Sequence, residues 1–192
     1  MSIALSGPAS WYATSGPGLW YATRATGLVT LLLLTASMLL GIITAGRFAS
    51  EKWPRFVTVG LHRNVTVLVL AFLALHVGTT VLDTYTAISA TAAVVPLASS
   101  YKAPWLGLGA VAVDLLLAVL VTSLLRDRLG FRAWRGLHWL AYACWPVALI
   151  HGLGTGTDRR TLWVFAAALA CACAVAAAAT WRLATAARAG TR

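Results

Sequence analysis

Two stretches decide the fold: GLHRNVTVLVLAFLALH at residues 60–76 and GLHWLAYACWPVALIH at residues 136–151. Each stretch begins with Gly-Leu-His, continues as an apolar run and ends on a second histidine. The chain contains four histidines, and these two stretches hold all of them. Apolar runs of this kind predict membrane-spanning helices, and histidines inside such helices predict a functional site.

The composition indicates a membrane protein. Of the 192 residues, 60% are hydrophobic and only 10% are charged, whereas a soluble domain carries about 25% charged residues. The net charge of +10 could indicate a nucleic-acid partner, but the basic residues cluster in loops between apolar runs. That placement is typical of the positive-inside bias of membrane proteins. We therefore expect a lipid bilayer as the partner and no nucleic acid.

Five apolar runs are long enough to cross a hydrocarbon core of ~30 Å. They predict an all-α integral membrane protein, a bundle of five transmembrane helices. The predicted spans cover about residues 19–44, 57–82, 105–125, 133–153 and 161–181.

The positions of lysine and arginine predict the orientation of the bundle. The first-to-second loop, the third-to-fourth loop and the C-terminal tail carry most of them, whereas the opposite side has only Lys102, Arg159 and Arg160 outside the spans. The basic side is expected to be cytoplasmic, with the N-terminus outside, in a multi-pass protein of the cell membrane. The chain then divides into an external tail (1–18), a five-helix transmembrane domain (19–181) and a cytoplasmic tail (182–192).

The second and fourth spans run in the same direction, and this pairs the histidines across helices. His62 and His138 share the cytoplasmic depth, and His76 and His151 share the outer depth. A rise of ~1.5 Å per residue separates the two depths by roughly 20 Å. Neutral imidazole is an axial ligand of haem iron, and helix bundles build cofactor sites between facing helices. The pattern predicts two b-type haems, an inner one on His62 and His138 and an outer one on His76 and His151.

Other interpretations of the four histidines stay open at this point. They could be hydrogen-bonded core residues of a haem-free transporter or of a structural membrane subunit. Zinc is disfavoured because a zinc site gathers three or four ligands at one place, whereas these histidines divide between two depths. Cytochrome b of quinol-oxidising complexes also carries two histidine pairs on alternate helices, and the spacing alone does not exclude it.

The spacing in the second stretch calls for a distorted helix. The fourteen-residue step from His62 to His76 returns to within about 40° of the starting face, but the thirteen-residue step from His138 to His151 misses it by about 140°. Pro146 lies inside the second step, and a proline removes an internal hydrogen bond of the helix. We predict a distortion near Pro146 that brings His151 towards the cofactor.

Charged residues within or beside the spans are further candidates. Arg24, in the outer half of the first span, either snorkels to the headgroups or forms a salt bridge with a propionate of the outer haem. Arg63 and Arg135 lie near the inner ligands and either bind the inner propionates or reflect the positive-inside bias. Asp114 is the single acid inside the bundle, and we expect it to face the interior, bonded to Ser or Thr or joined to a proton path. Four glycines near the histidines are expected to leave room for a porphyrin: Gly60, Gly78, Gly136 and Gly152.

The histidine spacing and its flanks resemble the ferric reductase-like transmembrane domain. That superfamily includes ferric reductases, NADPH oxidases and the membrane haem subunit that serves a periplasmic methionine sulfoxide reductase. The local resemblance lies in residues 62–64, 134–139 and 151–158, and as a whole it covers about residues 19–181. It implies the cytochrome component of an oxidoreductase, which passes electrons across the membrane to an extracytoplasmic acceptor.

The chain also departs from the larger members of that family. Ferric reductases and NADPH oxidases continue into a cytoplasmic FAD and NADPH domain, whereas this sequence has no Gly-rich dinucleotide motif. We expect no flavin or NAD(P) site here. Electrons would come from a separate cytoplasmic flavoprotein or a quinol and pass to an outer acceptor, such as an FMN-binding protein. With both axial positions of each iron occupied, no catalytic residue is assigned.

Overall fold

The computed structural model describes residues 18–46, 53–83, 88–156 and 161–190. Of residues 189 and 190 it describes the backbone only. The described chain is all-α, as predicted, and contains no β-strand. Its helices are α1 (Gly18–Ala45), α2 (Arg55–Leu82), α3 (Ala103–Leu124), α4 (Arg126–Leu129), α5 (Phe131–His138), α6 (Leu140–Thr155) and α7 (Leu162–Gly190). The predicted external tail at residues 1–17 and the basic residues Arg159 and Arg160 lie outside the described residues.

Four of the described helices are long and apolar enough to cross a membrane: α1, α2, α3 and α7. They coincide with the predicted first, second, third and fifth spans, and α7 continues nine residues past the predicted end at Trp181. The chain is therefore a multi-pass membrane protein. The predicted fourth span is divided into α5 and α6, so the fifth crossing and the orientation stay predictions.

Two antiparallel helix pairs build the bundle. α1 packs along the whole of α2, and α3 packs along α6. Additional contacts of α1 with α6 and α7 hold the pairs together. This arrangement sets α2, with its two histidines, opposite the α5–α6 region that carries the other two.

A buried core lies where α1, α6 and α7 meet. Trp145 of α6 packs with Met38, Ile42 and Cys171, and its indole Nε1 donates a hydrogen bond to the hydroxyl of Thr35 at 2.9 Å. A buried indole N–H needs such an acceptor. Trp145, near the middle of the second histidine stretch, thus packs α6 against α1 and α7.

The fourth predicted span is interrupted at Trp139 and not at Pro146. α6 continues without a break through Pro146. The Trp139 N–H donates to the carbonyl of Gly136 at 3.2 Å, and the Tyr142 N–H donates to the carbonyl of Trp139 at 2.9 Å. Bonds across three residues are of the 3₁₀ type and wind the chain more tightly than an α-helix. A tight turn at Trp139 therefore separates the two histidines of this stretch. The distortion near Pro146 stays a prediction.

Candidate functional site

The structure brings the four histidines together as two pairs. The ring centroids of His62 and His138 lie 6.4 Å apart, and those of His76 and His151 also lie 6.4 Å apart. We call these the inner pair and the outer pair. A metal–imidazole bond of ~2 Å on each side, plus about 1 Å from nitrogen to ring centre, requires centroids roughly 6 Å apart. Both pairs therefore have the spacing that one metal ion between two imidazoles needs.

Main-chain carbonyls orient the outer pair. Nδ1 of His76 donates to the carbonyl of Thr23 at 2.8 Å, and Nδ1 of His151 donates to the carbonyl of Trp105 at 2.8 Å. A carbonyl oxygen only accepts, so Nδ1 carries the proton and Nε2 keeps its lone pair. Histidines that bind metals are commonly held by this kind of contact, which fixes both the tautomer and the ring orientation.

The inner pair is anchored differently on its two sides. Nδ1 of His62 donates to the carbonyl of Ser37 at 3.0 Å. Nδ1 of His138 instead lies 3.5 Å from the hydroxyl of Ser123, which also accepts a bond from Trp134 Nε1 at 3.3 Å. A single long contact to a side chain orients a ring less firmly than a bond to a helix carbonyl. The His138 ring is therefore the least firmly held of the four.

Two glycines allow helices to approach the outer histidines closely. A Cβ atom at Gly27 would lie 2.8 Å from Cε1 of His76, and one at Gly109 would lie 2.5 Å from Cε1 of His151. Carbon atoms in favourable contact are ~3.5–4.0 Å apart. Any side chain at either position would therefore push the imidazole away from its carbonyl.

The same arrangement recurs at the inner pair in a looser form. A Cβ atom at Gly41 would lie 3.5 Å from Cε1 of His62, which is ordinary contact. In each of the three cases the accepting carbonyl lies four residues before the glycine, as Ser37 does before Gly41. In an α-helix that carbonyl already accepts the N–H of the glycine. Because the glycine has no side chain, the second lone pair of that carbonyl oxygen stays accessible to an imidazole.

Sequence reasoning missed these glycines and singled out others. Gly60, Gly78, Gly136 and Gly152 have no atom within 4 Å of an added Cβ, so the close approaches occur elsewhere. One signal was available in the sequence. Gly27 and Gly41 are fourteen residues apart, which is also the step between the two histidines of α2.

A cavity of about 560 Å³ surrounds the outer pair. Its wall includes residues of α1, α2, α3, α6 and α7, among them Arg24, His76, Gly109 and His151. Its volume lies within the ~300–1,000 Å³ that is usual for ligand and cofactor pockets. The outer pair therefore has both the spacing for a metal ion and the space for an organic ligand around it.

The three candidate arginines differ in their surroundings. Arg24 is half-buried in the wall of the outer cavity, and its guanidinium lies 4.2 Å from the ring centre of Trp20. Arg63 and Arg135 are exposed. The proposed contacts of all three with haem propionates stay predictions.

Asp114 does not face the interior. Its side chain is exposed, and it makes no hydrogen bond or ion pair among the residues that the structure describes. The expected bond to an internal Ser or Thr is therefore wrong. Helix geometry explains the outcome: Gly109, which packs against His151, lies five residues before Asp114 and therefore on a different side of α3.

The family described as "Ferric reductase like transmembrane component" matches residues 26–149, more than half of the chain. The chain belongs to this ferric reductase-like family. The matched region contains His62, His76 and His138, and it ends two residues before His151. No curated protein and no solved structure matches the chain. Membership of this family associates the protein with electron transfer across a membrane.

Proposed function

We propose that this ferric reductase-like protein conducts electrons across the membrane through two b-type haems. His62 and His138 hold the inner haem, and His76 and His151 hold the outer one. The observation that carries the proposal is the 6.4 Å separation of the ring centroids in both pairs. The bonds from Nδ1 to neighbouring helices support it, because they leave Nε2 available to a metal.

The protein would fix the positions of the two haems. Haem supplies one-electron transfer when bound. Each haem iron would be held by the two histidines of its pair, which would leave no position on the iron for a substrate. The two sites lie on α2 about 21 Å apart along the helix.

Zinc binding is the competing use of the same histidines. A zinc site needs three or four protein ligands, or three and a water. Within the described residues, no three His, Cys, Asp or Glu side chains lie together as a metal site. Two imidazoles facing each other suit the two axial positions of a haem better.

The donor and the acceptor are separate molecules. We propose that the inner haem receives electrons from a cytoplasmic flavoprotein or a quinol. The outer haem passes them to an extracytoplasmic acceptor, such as an FMN-binding protein. Exposed arginines flank the inner histidines: Arg63 follows His62, and Arg135 lies three residues before His138. A cytoplasmic partner with an acidic surface fits that side, because complementary charge accelerates association.

An absorption spectrum of the purified protein tests the proposal directly. We expect a Soret band that shifts on addition of dithionite, and two haems per chain by pyridine haemochrome assay. A colourless protein with full helix content by circular dichroism would contradict the proposal.

Two single variants test the pairing. His76→Ala should lose about half of the haem, and His62→Ala should lose the other half. A redox titration of each variant should then show one midpoint potential, different in the two variants, where the wild type shows two. Loss of both haems from both variants, with the helix content preserved, would contradict the assignment of pairs.

A further inference from the structure

Asp114 lies near the middle of α3, a helix that is long and apolar enough to cross a membrane. On α3 it stands nine residues after Trp105, whose carbonyl bonds the outer histidine, and nine residues before Ser123, whose hydroxyl lies beside the inner one. At ~1.5 Å per residue, it is about 14 Å from each level. That depth is out of reach of water or lipid headgroups for a side chain as short as aspartate.

From Asp114 to the end of α3, the face that carries Asp114 is apolar and exposed. Leu117, Val121 and Leu124 follow it along the same stripe of α3 and are 42%, 50% and 75% exposed. Towards the outer side the same stripe is covered, since an added Cβ at Gly107 would lie 3.0 Å from Leu97. The open part of the stripe, Asp114 to Leu124, is as long as two to three helical turns.

An ionised carboxylate at this depth needs a cation or strong hydrogen-bond donors. The described part of the chain has no basic side chain at the same depth. Its nearest basic residues on the spanning helices stand towards the ends, as Arg63 does at the level of the inner pair and Lys102 does at the outer end of α3. A second copy of the chain would therefore bring another carboxylate and no cation.

We propose that the stripe of Asp114, Leu117, Val121 and Leu124 docks a transmembrane helix of a different protein, which carries a lysine or arginine at mid-membrane. The ammonium or guanidinium pairs with the Asp114 carboxylate, and the apolar side chains pack around the pair. Charge complementarity in hydrocarbon makes this contact selective, because few membrane helices carry a central cation. The docking surface is distinct from the histidine pairs and does not depend on haem.

A synthetic helix supplies the probe. Full-length protein labelled with a donor fluorophore is reconstituted in phosphatidylcholine vesicles with an acceptor-labelled transmembrane peptide of leucine and alanine. One peptide has lysine at its centre, and the control peptide has leucine there. We expect energy transfer to show about tenfold tighter association of the lysine peptide, the size of one good polar contact between membrane helices.

Three variants identify the carboxylate responsible. Asp114→Asn and Asp114→Leu should each abolish the preference for lysine. Asp127→Asn, which removes a fully exposed carboxylate on α4, should retain it. A preference that persists without Asp114, or that wild type never shows, would overturn the proposal. So would energy transfer between copies of the protein that Asp114→Asn abolishes, since that result assigns the stripe to a homodimer.

Thermal unfolding provides a second readout. Asp114→Leu should melt no lower than wild type in vesicles without peptide, because the side chain is exposed and makes no hydrogen bond or ion pair among the described residues. A lower melting temperature would place Asp114 in the interior and overturn the proposal. Neither readout uses haem, so a failure here is distinguishable from a failure of the electron-transfer proposal.

Discussion

At Gly109, one added methyl group would lie 2.5 Å from Cε1 of His151. The imidazole would have to move, and its bond to the Trp105 carbonyl would lengthen or break. Gly27 has the same relation to His76. At the scale of single residues, the outer site therefore depends on the absence of a side chain at Gly27 and Gly109 as well as on its two histidines.

Gly109→Ala tests this dependence. We expect the outer site to lose ~10–100-fold in haem affinity, the usual effect of disturbing a group that orients a metal ligand. Gly78→Ala is the matched control, because Gly78 lies two residues after His76, has nothing within 4 Å of an added Cβ and does not line the outer cavity. Haem content after dialysis against apomyoglobin measures the effect. Equal retention by the two variants would contradict the role of Gly109.

Gly41→Ala should have a smaller effect on the inner site. Its added Cβ would lie 3.5 Å from His62, in ordinary contact, so the ring can stay bonded to the Ser37 carbonyl. The same dialysis assay should show at most a severalfold loss of inner haem. A loss as large as that in Gly109→Ala would show that the distance to the glycine does not govern the anchoring.

At the scale of elements, the division between α5 and α6 positions the second histidine of each pair. The break at Trp139 comes directly after His138, so α5 carries the second histidine of the inner pair and α6 carries that of the outer pair. A continuous helix would direct histidines thirteen residues apart to different sides. Two helices with a tight turn between them can direct each histidine to its own partner on α2.

Pro146→Ala distinguishes the observed break from the predicted one. Since α6 continues through Pro146, alanine should restore a main-chain donor and leave both haems bound. Stability should not fall, because proline inside a helix costs about 3 kcal/mol relative to alanine. Haem stoichiometry and the melting temperature are the measurements. Loss of the outer haem alone would show that a bend at Pro146 is needed after all.

At the scale of the whole molecule, charge is distributed unevenly between the two ends of the bundle. One end carries the start of α2, the end of α3, α4, α5 and the end of α7. Its described basic residues are Arg55, Arg63, Arg126, Arg128, Arg132, Arg135, Arg182 and Arg188. At the opposite end, Lys102 donates to the carbonyl of Thr155 at 3.0 Å, at the end of α6. The basic end is expected to face the cytoplasm.

Reporter fusions measure this orientation. Green fluorescent protein joined after Arg192 should fluoresce, and alkaline phosphatase at the same position should be inactive, because the basic end stays in the cytoplasm. Fusions after Ser100 serve as the control and should give the opposite result. Active phosphatase after Arg192 would reverse the inner and outer assignment of the histidine pairs.

The membrane class, four of the spans and the opposition of histidines on two helices followed from the sequence by itself. These features depend on the length of an apolar run and on spacing along one helix, both of which can be read from one chain. His62 and His138 illustrate the point. Their equal depth follows from the direction of two spans, without knowledge of how the helices pack.

The tertiary structure alone decided how the helices are rotated about their axes. It determined that Gly27 and Gly109 face histidines, that Asp114 faces outward and that the fourth predicted span divides at Trp139. In a soluble helix, a polar face indicates the side that points to water. Helices that are apolar all round lack that face, so their rotation is set by packing between small residues and neighbouring side chains.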